Sequence, residues 1–218
     1  MEDISVTLSV LILLSSFVLI ASKRIHAYIG ILRLQAVLIA LQTGLVGIHE
    51  LQAGGRADVL VVCLIIIALK VVAIPRLLHR TYAAVEYKVE KDFFLNIPLL
   101  ILICCGLVIA TWFSLESVDR LKLDQDGVLL VNAIALTLIG LFFMISRRKA
   151  IGQIVGLLAI ENGLFITALY ASDGMPFIVD IGIFIDLITA VVVMGMIVFK
   201  INTEFESIDT DQLNQLKG

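Results

Sequence analysis

Cysteine, histidine and proline each occur only three times in 218 residues, and charged side chains make up only 16% of the chain. Cys63, Cys104 and Cys105 lie in apolar segments without metal-ligand spacing, which excludes a cysteine-held metal and leaves them as inert packing. His26, His49 and His79 are scattered along the chain at different depths, so they build neither a metal site nor a haem site. There is no glycine-rich phosphate loop and no nucleophile–base arrangement. The expectation is therefore no bound redox cofactor, no metal and no active site of the chain's own. A net charge of −3 provides no basic surface for nucleic acid.

What the sequence does have is apolar length. It is 60% hydrophobic with a mean hydropathy of +1.07, which indicates an all-α, polytopic membrane helix bundle. Seven runs are long enough to cross a bilayer: Ile4–Ser22, Ala27–His49, Ala57–Leu78, Phe94–Leu115, Gly127–Ser146, Ala150–Ala171 and Phe177–Lys200. Polar or turn-forming stretches separate them, among them Lys23-Arg24, Gly54-Gly55, His79–Asp92, Glu116–Asp126 and Arg147-Arg148-Lys149. The first run follows only Met-Glu-Asp, has no small-residue cleavage site, and reads as a retained helix rather than a removed signal peptide. Pro75 and Pro98 fall inside runs, where a kink is expected.

Loop charge sets the orientation. Lys23, Arg24, Arg76, Arg80, Lys88, Lys91, Arg147, Arg148, Lys149, Lys200 and Lys217 fall on one side, against Arg56, Arg120 and Lys122 on the other. Eleven against three places the first side in the cytoplasm, so that a multi-pass protein of the cell's inner membrane is expected with its N-terminus outside and its acidic tail, residues 201–218, in the cytoplasm.

The chain also repeats itself. SKRIHAYIGILRLQAVLIAL (Ser22–Leu41) aligns with SRRKAIGQIVGLLAIENGLFITAL (Ser146–Leu169), setting Gly30 opposite Gly156 and Gln35 opposite Glu161. IIIALKVVAI (Ile65–Ile74) aligns with IGIFIDLITA (Ile181–Ala190), setting Lys70 opposite Asp186. Three helices, a spacer helix and three more give a 3+1+3 parallel pseudo-repeat. The divisions are 1–80 (first half), 81–126 (linkers and fourth helix), 127–200 (second half) and 201–218 (tail).

Five of the charged residues inside these runs are candidate site residues: Glu161, Asp186, Asp180, Lys70 and Arg33. Glu161 lies about eleven residues from either end of its run, near the midplane of a ~30 Å core at ~1.5 Å per residue. A charge there costs at least ~2.5 kcal/mol, so it needs a partner, water or a proton. It reads either as a proton-carrying carboxylate or as a structural acid paired across helices. Asn162 beside it fixes a helix contact by hydrogen bonding. Asp186 is the natural second acid at mid-depth. Asp180 lies nearer the outer interface, about 240° around the helix from it. Lys70 is deep enough to need a partner, with Glu161 and Asp186 both open. Arg33 either tunes the charge in the first half or reaches back to the cytoplasmic interface.

The run ENGLFITALYA…VDIGIFIDLITAVVVMGMIVFKI, with the tail IDTDQLNQLKG, resembles the component E family of hydrogenase-4 membrane arms, a formate hydrogenlyase-type complex. That family is similar to the K subunit of respiratory complex I and the C subunit of Mrp-type antiporters. The resemblance covers the whole chain, with the ENG and D-I-G-I…D motifs most specific to it. It implies a non-redox subunit of a group 4 [NiFe]-hydrogenase or complex I-like assembly. The partners it implies are antiporter-like and quinone-site-type membrane subunits and a peripheral hydrogenase arm, all in the lipid bilayer. It implies proton or sodium translocation through mid-membrane carboxylates, which map onto Glu161 and Asp186. The first half departs from the pattern, with Gln35 and Lys70 at the matching positions. Two other readings stay open: a purely structural assembly subunit, and a free-standing small transporter. Against the latter, the chain lacks a matched pair of Gly/Pro-interrupted helices.

Overall fold

The computed structural model describes residues 2–52, 58–84, 96–117, 125–147 and 150–171. Helix α1 (Glu2–Ala21) turns directly into α2 (Ile25–Gln52). The third crossing is continuous but built in three parts: α3 (Asp58–Ile66), a π-helical segment (Ile67–Ala73) and α4 (Ile74–Ala84). Helices α5 (Ile97–Glu116), α6 (Gln125–Ser146) and α7 (Ala150–Ala171) follow. Six of these spans are long and apolar enough to cross a membrane, and the described residues contain no β-strand. The chain is an all-helical membrane protein. The seventh apolar run, Phe177–Lys200, and the tail lie outside the described residues, and with them Asp180 and Asp186.

Apolar runs of this length fold as helices because in lipid the backbone can satisfy its polar groups only within itself. Side-chain hydroxyls follow the same rule. Ser15 and Ser16 donate to the carbonyls of Ile12 and Leu13 at 2.6 Å, and Thr43 donates to Ile39 at 2.9 Å. The two prolines part company. Pro98 does not kink a helix, since Asn96 is extended (ψ 148°) and Pro98 sits in the first turn of α5, where its missing N–H costs nothing. Pro75 lies just past the π segment. In a regular α-helix its ring would meet the carbonyl of Val71, and the wider π turn, in which Ile74 N–H bonds Leu69 O, takes up that collision.

Helices α6 and α7 form a hairpin, α1 packs on α6, and α5 covers the α1/α6 edge. Helix α2 packs against α1, α7 and the third crossing. The interior is layered. One apolar cluster holds Leu19, Ile20, Tyr28, Leu32, Leu78, Phe143 and Leu158, and a second holds Ile12, Ile39, Val62, Ile66, Leu136 and Ile166. On α2, Gln35 lies between Leu32 of the first cluster and Ile39 of the second. On α7, Glu161 and Asn162 lie between Leu158 and Ile166, and on the third crossing Lys70 lies between Leu78 and Ile66. The polar residues thus form a band with apolar packing on both sides.

Arg147 closes one end of the bundle. It is 1% exposed, its Nη2 donates to Ile20 O at 2.8 Å and Ser22 O at 3.3 Å, and its guanidinium lies over the rings of Phe143 (4.4 Å) and Tyr28 (5.5 Å). Ile20 lies in the last turn of α1 and Ser22 just past it, where carbonyls lack intrahelical donors and the helix dipole favours a cation. Arg147→Met keeps the bulk against the rings and removes the donors. The expected cost is about 1–3 kcal/mol, the usual penalty for buried acceptors left unmade. Thermal unfolding in detergent measures it, and an unchanged midpoint would mean that the arginine only packs.

Candidate functional site

The band between the clusters is a connected polar network. Lys70 stands at the centre of the π segment, and its Nζ lies 3.1 Å from Glu161 Oε1 on α7. The same ammonium donates to Asn162 Oδ1 at 3.2 Å, and Asn162 Nδ2 donates to Gln35 Oε1 on α2 at 3.2 Å. The Phe165 ring, one turn along α7, has its centroid 5.6 Å from Nζ, within cation–π range. Lys70 is 5% exposed, Glu161 3% and Gln35 fully buried.

Each element contributes for a local reason. Glu161 is the twelfth residue of a 22-residue helix, so it sits at mid-length. Residues 161, 162 and 165 share one face of α7 at i, i+1 and i+4 spacing. The π segment adds width to its turn and presents Lys70 on the inner side, whereas Ile67 and Ala73 around it are exposed. Gln35 takes its place from α2, and its Nε2 has no hydrogen-bond partner among the described residues. Two opposite charges taken out of water stand only if they neutralise each other and their remaining groups are bonded. Asn162 does the bonding here, because an amide can accept from an ammonium and donate to Gln35 at once.

Chemically, the pair can hold a proton and respond to a charge placed near either end of the network. Among the described residues no cluster of His, Cys, Asp and Glu has the makings of a metal site.

Arg33, considered above with the interior charges, does not join this network. It is exposed and lines a cavity of about 500 Å³ between α2 and the third crossing, together with His26, Arg76, His79 and Arg80. Several ties between helices were not foreseen from the sequence. Gln42 Nε2 donates to Tyr170 OH at 2.8 Å, Asn132 Nδ2 donates to Ser9 Oγ at 2.8 Å, and Arg147 caps α1. Polar side chains inside otherwise apolar runs were the only available signal, and they give no hint of the partner.

Comparison with known proteins bears on the part of the chain that carries Glu161. Residues 128–218 match the family model described as NADH-ubiquinone/plastoquinone oxidoreductase chain 4L. That stretch, less than half of the chain, is similar to the chain 4L family. Over greater lengths the chain is similar to an uncharacterised protein of Mycobacterium tuberculosis, 28% identical over 208 residues, 94% of this chain and 92% of the relative. It is also similar to hydrogenase-4 component E of Escherichia coli K12 and of Shigella flexneri, 28% identical over 151 residues, 68% of this chain and 69% of the relative. No solved structure matches. The chain is thus similar, over its second half and at 28% identity over about two thirds of its length, to membrane subunits of the hydrogenase-4 and complex I-like group.

Proposed function

We propose that this chain is a non-redox, ion-path subunit of a complex I-like assembly of the group 4 hydrogenase type. Glu161 is the protonatable station and Lys70 the charge that sets its affinity for a proton. Asp186, and nearer the outer face Asp180, continue the path for protons or sodium. The observation that carries this reading is the Lys70–Glu161 pair, 3.1 Å apart, nearly sealed from the outside and held midway along its helices. Intramembrane ionisable pairs cost stability and are found where charge is moved or sensed. In the proposed arrangement the halves 1–80 and 127–200 are parallel copies joined by α5, with the arginine-rich end in the cytoplasm. The pair couples the first half to the second. The partners are antiporter-like and quinone-site-type subunits and a peripheral redox arm.

Glu161→Gln tests the proposal, because the amide keeps an acceptor for Lys70 while removing the proton site. In native membranes the complex is expected at near normal amount on a native gel. Coupled proton movement should fall by roughly tenfold or more, the scale on which losing an acid–base group tells. Full coupling in the variant would count decisively against the proposal. A second reading is an assembly spacer, favoured by the non-titrating ties Asn132–Ser9 and Gln42–Tyr170. It predicts the reverse: less complex, with unchanged activity in each.

A further inference from the structure

The cavity between α2 and the third crossing is separate from the Lys70 network and independent of its proposed role. From α2 come His26, Ile29, Gly30 and Arg33, and from the other wall Val71, Val72, Pro75, Arg76, His79 and Arg80. Three arginines and two histidines converge on about 500 Å³, and among the described residues no acidic side chain lines it. Among the described residues, none of the three arginines has an ion-pair partner. The π segment and Pro75 form the back wall. A Cβ added at Gly30 would meet nothing within 4 Å, so the space in front of that backbone is open.

We infer that this cavity is a binding site for the phosphate headgroup of an anionic phospholipid. Guanidinium groups recognise phosphate oxygens through paired N–H donors, and three of them around one volume repel each other until an anion enters. Basic pockets between membrane helices at the cytoplasmic side suit lipid headgroups. Depth favours a lipid over a free anion. Arg33 is eight residues into α2, about 12 Å along the axis from its first residue. The same face of α2 then continues as Val37 and Leu41, four and eight residues past Arg33, both exposed. On the opposite wall Ile67 and Leu64 are exposed beyond Val71. A charged chamber opening onto an apolar strip that runs inward matches a molecule with a phosphate at one end and acyl chains at the other.

The test uses the full-length chain in mild detergent, mixed with dioleoyl-phosphatidylglycerol or dioleoyl-phosphatidylcholine and weighed by native mass spectrometry. One phosphatidylglycerol should be retained in preference to phosphatidylcholine by roughly tenfold or more, given the attraction of each arginine for an anionic lipid. Arg33→Gln/Arg76→Gln/Arg80→Gln should bring the two lipids to parity. Gly30→Leu, which fills the chamber and keeps every charge, should lower retention of phosphatidylglycerol even if the triple variant fails to fold. Arg24→Gln, exposed beside α2 but outside the cavity, should leave the preference intact. Equal retention of the two lipids by the unaltered chain would overturn the inference, as would equal loss in Arg24→Gln. Displacement of phosphatidylglycerol by inorganic phosphate at matched ionic strength would mean a free-anion site. A several-fold gain on deleting residues 201–218 would mean that the acidic tail is the occupant. Either result overturns the lipid.

Discussion

With Lys70 replaced by methionine, the chain is expected to lose about 3–5 kcal/mol of stability, the range found when one partner of a buried ion pair is removed. Glu161 is then left 3% exposed with its cation gone, and Asn162 Oδ1 loses the donor that lies 3.2 Å away. The loss comes from stranding the carboxylate rather than from any large net value of the pair. The double variant Lys70→Met/Glu161→Met should therefore recover most of it. Glu161→Gln alone should cost less than Lys70→Met, since Nζ keeps an amide acceptor there and Asn162 Oδ1, though its counter-charge is gone. Membrane yield and unfolding midpoint in detergent, measured for the unaltered chain, Lys70→Met, Glu161→Met and the double variant, give the coupling energy directly. If Lys70→Met proved as stable as the double variant, the pair would have to be well hydrated, and its place between the two apolar clusters would carry no energetic weight.

The layering matters for function as much as for stability. The networked band touches α2, α7 and the third crossing, and apolar packing flanks it along each of them. A proton cannot cross such packing on its own, so a change of charge in the band depends on a second charge or a shift of one helix. The π segment is the part of the band with the least regular backbone. A shift of its register would turn Lys70 relative to Glu161, whereas α7, held against α6 by close backbone contact, has little room to move.

The six described spans were legible because each is about twenty apolar residues between polar stretches, and that signal survives without any tertiary information. Glu161 at mid-depth was legible for the same reason. Its partner was legible only as one of two pairings open to Lys70. Charge balance left Lys70 two carboxylates, of which Glu161 is the one among the described residues, and its approach depends on side-chain phase, which the π segment shifts. Hydropathy does not register a π turn, and Pro75 was its one sign in the sequence. Pro98 carried the opposite lesson: apolarity upstream extended the run to Phe94, but the first-turn proline and extended Asn96 start the helix at Ile97. Arg33 could be placed at a depth but not against a neighbour, because Arg76 and Arg80 reach it from another crossing. Tyr170 and Gln42 are 128 residues apart, and nothing local to either marks the other.

Gly30 and Gly156 align with each other in the sequence, yet leucine at the two positions is expected to have opposite consequences. At Gly156 a Cβ would lie 2.6–2.8 Å from Met144 Cβ, Cα and N on α6, and much of that obstacle is backbone, which cannot swing aside. Gly140 and Gly163 meet α7 and α6 backbone just as closely across the same seam, so the two helices touch along a line of missing side chains. Overpacking costs about 1–3 kcal/mol where neighbours can adjust. Gly156→Leu should exceed that range, parting α6 from α7 and moving Glu161, five residues on, away from Lys70. Gly30→Leu should leave folding unchanged or slightly improved, since its Cβ enters open space and leucine favours the helix by up to about 1 kcal/mol over glycine. Detergent unfolding midpoints of the two variants decide it. Equal loss at both would mean that α2 packs against a surface as tight as the α6 seam, and the cavity in front of Gly30 would have to close.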